Sequence, residues 1–300
     1  MHHQRLTEHE VVLPDGRLLQ VSVSGAPNGS PVFLLHGTPG SRQGPKPRSS
    51  VLYRLGIKLI CYDRPGYGGS NRHPGRRVAD AAADVAAIAD DLRLDRFSVV
   101  GRSGGGPHAL ACSALLPERV HRTAVLVGIA PSNAEGLDWF DGMAQDNVHE
   151  YETADNDLAV LAERLRLRAE RVLHDPESLL EMLRSQMAEA DRRFVDRIAI
   201  RRLLAATYTE ALRGGPYGWF DDVLAFREDW GFNLDTIGGP VKLWHGEDDT
   251  FSPAGHTRWL ARQIPHAEVQ VRTDTAHFGA VEVLPEILAW LTAQPDYLHR

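Results

Sequence analysis

The stretch that most constrains this chain runs from residue 97 to 109: Phe97-Ser98-Val99-Val100-Gly101-Arg102-Ser103-Gly104-Gly105-Gly106-Pro107-His108-Ala109. An apolar run ends in glycine, one serine is enclosed by further glycines, and a helix-forming segment follows. It reads as strand, sharp turn and helix, with Gly101-Arg102-Ser103-Gly104-Gly105 supplying the G-x-S-x-G pattern. Strand and helix approach so closely at such a turn that the flanking residues cannot carry side chains. The serine hydroxyl is then left bare above a sheet. The next N–H lies at the positive end of the new helix, where it can donate to a developing oxyanion.

The rest of the chain alternates in the way such a turn requires. Val11-Val12-Leu13 and residues 18–23 flank Pro14-Asp15-Gly16-Arg17, a hairpin pattern. Short apolar runs at 32–35, 58–62, 97–100, 123–127, 241–244 and 268–271 read as strands buried on both faces. Helices are expected at 78–92, 107–116, 253–263 and 281–292. Strand–helix alternation of this kind predicts an α/β fold with a mostly parallel, doubly wound sheet. Between residues 131 and 236 it gives way to helical patterns alone, at 157–173, 176–188, 193–212 and 216–227. The expected organisation is a core of residues 1–130 and 237–300 with an inserted all-helical cap at 131–236.

Composition bounds what the site can do. With 300 residues, 43% of them hydrophobic and 24% charged, a sizeable core is expected. A net charge of −7 argues against nucleic acid as a partner, because phosphate binding needs concentrated Lys and Arg. The two cysteines, Cys61 and Cys112, lie in apolar contexts and read as small buried side chains. Met1-His2-His3-Gln4-Arg5 has no apolar leader core, and the apolar runs fall short of the roughly 18 residues that span a membrane. A cytoplasmic protein with no membrane partner is the expectation. No His, Asp or Cys set has metal-binding spacing, and the glycines form no dinucleotide fingerprint, so no cofactor is expected. The Arg-rich run 164–171 reads as a solvated helix face.

Four further segments carry a family resemblance. His36-Gly37-Thr38-Pro39-Gly40 follows the third strand, and Tyr62-Asp63-Arg64-Pro65-Gly66-Tyr67-Gly68-Gly69-Ser70 follows the fourth. Trp244-His245-Gly246-Glu247-Asp248-Asp249 and Ala276-His277-Phe278-Gly279 come later in the same order. With the serine turn, these make the chain resemble the cap-bearing serine hydrolases of the α/β-hydrolase superfamily over nearly all its length outside the cap. The resemblance implies that Thr38 and Gly104 supply oxyanion-hole N–H groups, although spacing alone also allows Gly37. It places the acid three residues after Gly246, at Asp249, with Asp248 and Glu247 as alternatives.

A serine needs a base to take its proton and a carboxylate to orient that base. Of the histidines after the acid turn, His256 sits in an expected helix, His266 precedes the last strand and His299 is in the tail. His277 alone follows the last strand by a short loop, where open α/β sheets gather ligand-binding groups. The candidate catalytic set is therefore Ser103, Asp249 and His277. His36, His108 and His245 read as supporting side chains. Trp139, Phe140, Met143, Tyr208, Tyr217, Trp219, Phe220 and Trp230 read as a group that makes the pocket apolar, although any one of them is more simply cap core.

The expected activity is cleavage of a carboxylic ester or lactone of a small, largely apolar molecule through an acyl-enzyme. Alternatives with the same triad are a proline iminopeptidase-like aminopeptidase, a carbon–carbon bond hydrolase and a perhydrolase. A non-catalytic ligand receptor on the same fold is the alternative outside enzymes.

Overall fold

The structure is a computed structural model that describes residues 7–293; Met1–Arg5 and His299, both read above, lie outside the described residues. Among the described residues eight strands form one sheet: β1 (Thr7–Val12), β2 (Leu18–Gly25), β3 (Ser30–Leu35), β4 (Ile57–Tyr62), β5 (Phe97–Arg102), β6 (Val120–Leu126), β7 (Val241–Gly246) and β8 (Glu268–Arg272). Their spatial order is β1-β2-β4-β3-β5-β6-β7-β8. β1 and β2 form the expected hairpin and β2 meets β4 antiparallel, whereas every pairing from β4 through to β8 is parallel. The helices are α1 (Ser49–Arg54), α2 (Ala81–Asp91), α3 (Gly105–Leu115), α4 (Gln145–Asn156), α5 (Leu158–His174), α6 (Ser178–Arg184), α7 (Glu189–Val195), α8 (Ile198–Leu212), α9 (Tyr217–Arg227), α10 (Ala254–Gln263) and α11 (Gly279–Thr292).

Strand periodicity sorts the core into layers. Val32 and Leu34 of β3 face α1 and α11, where they meet Leu52, Leu284 and Leu288. Phe33 and Leu35 point to the other face, against Val85, Ile88 and Cys112 of α2 and α3. Each such aliphatic side chain, once fully buried, contributes about 1.5–3 kcal/mol.

Helices α4 to α9 lie between β6 and β7 and share a separate apolar cluster that includes Leu161, Leu165, Leu180, Leu204, Leu212 and Trp219. Two expectations change here. Residues 193–212 form two helices, α7 and α8, because α7 must turn its buried Asp191, Phe194 and Val195 inward while α8 buries Leu204 and Tyr208. Helix α4 has no counterpart among the expected helices. Its buried residues are Glu150, Thr153 and Ala154, so the apolar periodicity that would betray it is almost missing.

The chain crosses from β3 to β4 on one side and to β5 on the other, which opens a crevice above their C-terminal ends. At the β5–α3 turn Ser103 has φ of +53°, a left-handed conformation that non-glycine residues adopt only where the surroundings hold them. The surroundings do so through contact. A Cβ on Gly101 would stand 2.1 Å from the Gly105 carbonyl oxygen, and one on Gly105 would stand 2.3 Å from that of Leu35. Neither neighbour is a side chain that could swing aside. Gly101→Ala is therefore expected to destabilise the fold by about 3 kcal/mol or more, as backbone overpacking does. Urea unfolding would show it as a lowered midpoint; an unchanged midpoint would contradict the close approach.

Candidate active site

Ser103 is fixed from both sides: its N–H donates to Leu126 O at 2.8 Å, and its carbonyl accepts from Gly106 N at 2.8 Å. Asp249 leaves the turn after β7 with its carboxylate buried. One oxygen accepts from the backbone N–H groups of Phe251 (2.8 Å) and Ser252 (3.1 Å). The other accepts from His277 Nδ1 at 2.8 Å and His245 Nε2 at 3.1 Å. Of the three acids in that turn, Asp248 is exposed and Glu247 pairs with Arg258, so Asp249 is the one that reaches the imidazole. His256 is buried in α10 between Ala130 N–H and the Trp139 carbonyl, and His266 is exposed before β8. Ser103 and His277 line the same cleft, but no hydrogen bond joins them among the described residues.

Charge favours an imidazole that can hold a proton. Burial pushes the Asp249 carboxyl upward, yet His277 and His245 outweigh it and hold it below its ordinary value. Burial likewise opposes charge on His277, but Asp249, followed by Asp191, leaves its pKa raised above 6.5. Asp191 comes from α7. Its carboxylate accepts from the N–H of His277 (3.1 Å) and of Phe278 (2.8 Å), which holds the loop at the start of α11. Burial pushes Asp191 up to about 6 despite the attraction of His277.

The N–H groups of Thr38 and Gly104 make no hydrogen bond among the described residues, and both residues line the cleft. They are close neighbours, since a Cβ on Gly104 would fall 2.3 Å from Thr38 Oγ1. Thr38 is held by a buried charge cluster for which the sequence offered no local sign. Its hydroxyl donates to Asp222 of α9 at 2.5 Å, and the same oxygen accepts from Arg64 (2.5 Å) and Tyr67 (2.8 Å). Arg76 takes the other Asp222 oxygen at 2.5 Å. Burial opposes a charged Asp222, but Arg64 and Arg76 hold its carboxyl well below the ordinary range. His108 lies nearby and its Nδ1 donates to Gly104 O at 2.7 Å; burial and Arg64 push it down to about 3, so it is neutral. His36 accepts from Arg64 N–H through Nε2 and donates from Nδ1 to Gly37 O, which braces the loop after β3.

The cleft has a cavity volume of about 110 Å³ and is partly open to solvent. Two of the eight aromatic and Met residues expected there, Tyr208 and Trp219, line it. Trp139, Met143 and Trp230 are packed into a core cluster, with Phe140 packed against it, and Tyr217 and Phe220 border a separate outer groove. Trp139, Phe140, Met143 and Trp230 lie in turns and loops outside the helices, and the register of α9 brings Trp219 to the cleft while Tyr217 and Phe220 border the outer groove. Leu179, Leu204, Phe226, Phe251 and Phe278 add to the apolar lining. The lining is also less apolar than expected, since it includes Arg102, Asp146, Glu150 and Arg168. Arg168 corrects the reading of 164–171 as a solvated face. It turns inward and pairs with buried Glu150 at 2.8 Å.

A doubly wound sheet with a left-handed serine on its central turn, and an imidazole–carboxylate pair on the last two loops, defines a class of hydrolytic enzyme scaffold. The chain belongs to the alpha/beta hydrolase fold family, whose profile matches residues 30–282. It is 26% identical over 279 residues to a 2-hydroxymuconate semialdehyde hydrolase from Pseudomonas putida, covering 90% of each chain. It is 24% identical over 265 residues to an sn-1-specific diacylglycerol lipase from Danio rerio, covering 85% of this chain and 74% of that one. The crystal structure of a bromoperoxidase from Bacillus anthracis superposes with a TM-score of 0.72 at 20% identity, covering 95% of this chain and 99% of that one. The protein is thus a hydrolase of the α/β fold. No helix among the described residues is long and apolar enough to cross a membrane.

Two outcomes are expected. Asp222→Asn leaves Arg64 and Arg76 buried without their counter-charge and should cost about 3–5 kcal/mol in urea unfolding. For pH, a base works only when neutral, and a raised His277 pKa keeps it protonated to higher pH than free histidine. The acid limb of kcat/KM should therefore have its midpoint above 6.5. Asp191→Asn keeps an acceptor for the loop but removes a negative charge beside His277, so it should move that midpoint to lower pH. An acid limb that stays in place in a pH–rate profile would contradict the electrostatic role of Asp191.

Proposed function

We propose that the protein is a serine hydrolase that cleaves a carboxylic ester or lactone of a small molecule through an acyl-enzyme. Ser103 attacks the carbonyl. His277 takes the serine proton and then returns it to the leaving alcohol, and Asp249 fixes the imidazole tautomer and steadies its charge. The N–H groups of Thr38 and Gly104 receive the oxyanion, each worth on the order of 3 kcal/mol in the transition state. Water activated by His277 then releases the acid. Residues 131–236 act as the cap over a core of 1–130 and 237–300, and exclude bulk water from the cleft.

The observation that carries this reading is the buried Asp249–His277 pair, 2.8 Å apart, opening on the same cleft as the left-handed Ser103. The diacylglycerol lipase among its relatives acts, by its name, on an ester. A second reading, carbon–carbon bond hydrolysis, draws support from the likeness to the 2-hydroxymuconate semialdehyde hydrolase along 90% of the chain. Both use one nucleophile and base, so a panel of p-nitrophenyl esters, lactones and vinylogous diketones separates them.

A fluorophosphonate probe should label Ser103, as read by peptide mass spectrometry. Ser103→Ala should lose roughly a thousandfold or more in ester turnover while keeping its circular dichroism spectrum. Turnover that survives in Ser103→Ala would remove the proposed nucleophile.

A further inference from the structure

Arginines near the cleft have acidic partners. Arg64 and Arg76 share Asp222, Arg42 pairs with Asp63 at 2.5 Å, and Arg168 pairs with Glu150. Arg102, directly before Ser103, differs. It forms no ion pair and no side-chain hydrogen bond among the described residues, and its Nη1 is buried without a partner. Burial lowers its pKa from the ordinary value, but a guanidinium stays charged at any physiological pH. The residue is half-buried, with its Nη1 shut off from solvent and from any acceptor among the described residues, a local cost that a bound anion would relieve.

We propose that Arg102 is an anion subsite at the foot of the cleft, and that the acyl part of the substrate carries a carboxylate that binds there. This rests on the ester or lactone reading. Position supports it, because Arg102 lines the cleft that holds Ser103 and His277 and also the small cavity behind it. One guanidinium nitrogen lies beside Gly44, next to Thr207 of α8: a Cβ built on Gly44 would be 3.9 Å from Arg102 Nη2 and 3.7 Å from Thr207 Cγ2. Sidedness supports it as well. His277 must protonate the leaving alcohol, so the alcohol lies on the imidazole side, whose ring neighbours are Phe251 and Phe278. The acyl chain then extends away from that side, past Gly104 and Thr38, to the wall formed by Arg102, Thr207 and Tyr208. The acids of the cleft do not cancel this charge, because Glu150 is bonded to Arg168 and Trp219, and Asp146 lies near Arg164 and Arg168.

The test compares p-nitrophenyl hemiesters of succinate, glutarate and adipate with neutral p-nitrophenyl esters of matched chain length. The wild type should favour the anionic member by about tenfold or more in kcat/KM for at least one length. Arg102→Met should collapse that ratio to near unity, and Arg102→Lys should retain part of it. Binding is read without turnover by titrating glutarate into Ser103→Ala in a calorimeter, with the heat lost when Arg102→Met is added. A wild type that prefers the neutral ester at every length overturns the subsite even if no Arg102 variant folds. A ratio unchanged in Arg102→Met overturns it too. If no ester is cleaved but glutarate still binds through Arg102, the ester reading falls and the subsite stands. If neutral esters are cleaved and glutarate does not bind, the subsite falls and the ester reading stands.

Discussion

The close passage of β5 against α3 is the constraint on which the other features rest. Gly101 and Gly105 bring two backbones into direct contact, which drives Ser103 into a left-handed conformation and leaves its side chain at the head of the sheet. A helix starting so near the strand end also points its first N–H groups into the crevice between β3 and β5. The cleft, the free N–H of Gly104 and the placement of Arg102 all follow from that single junction. One methyl group at either glycine would undo them together.

Two buried carboxylates tie the helices between β6 and β7 to this junction. Asp222 of α9 gathers Arg64, Arg76, Tyr67 and Thr38, all from loops of the sheet. Asp191 of α7 receives the N–H groups of His277 and Phe278. A buried ion pair is weak as a source of net stability, but removing one partner is severe, since the remaining charge has no water to fall back on. These contacts therefore act through specificity of docking. They couple the position of the helical segment to the loop after β3 on one side of the cleft and to the imidazole loop on the other.

Much of the scaffold was legible because the relevant signals are local. Apolar runs marked the parallel strands, and the helical pattern over 157–173 marked α5, although the structure adds the Asp157 carboxylate that accepts from Ala159 and Val160 N–H at its start. Ser103, His277 and Asp249 could be singled out because each lies on a short loop with its own pattern, while their roles remain the proposed ones. Other features had no local signature. Helix α4 is polar along most of its length, and its buried Glu150 and Thr153 look like surface residues until α9 and Arg168 cover them. The aromatic residues between β6 and β7 were visible as a group, but whether Trp139 in its turn or Trp219 on α9 faced the cleft depended on how those segments packed, which composition does not encode.

The sequence by itself determined the doubly wound sheet, the serine turn and the order in which the candidate groups appear, because period, turn chemistry and glycine sterics act over a few residues. Only the tertiary structure decided which charges are paired. Asp222 meets Arg64 across 158 positions and Asp191 meets His277 across 86, whereas Arg102 meets no carboxylate among the described residues. Coulomb energy in a low-dielectric interior depends on separation in space, and separation along the chain carries no information about it until the elements have packed.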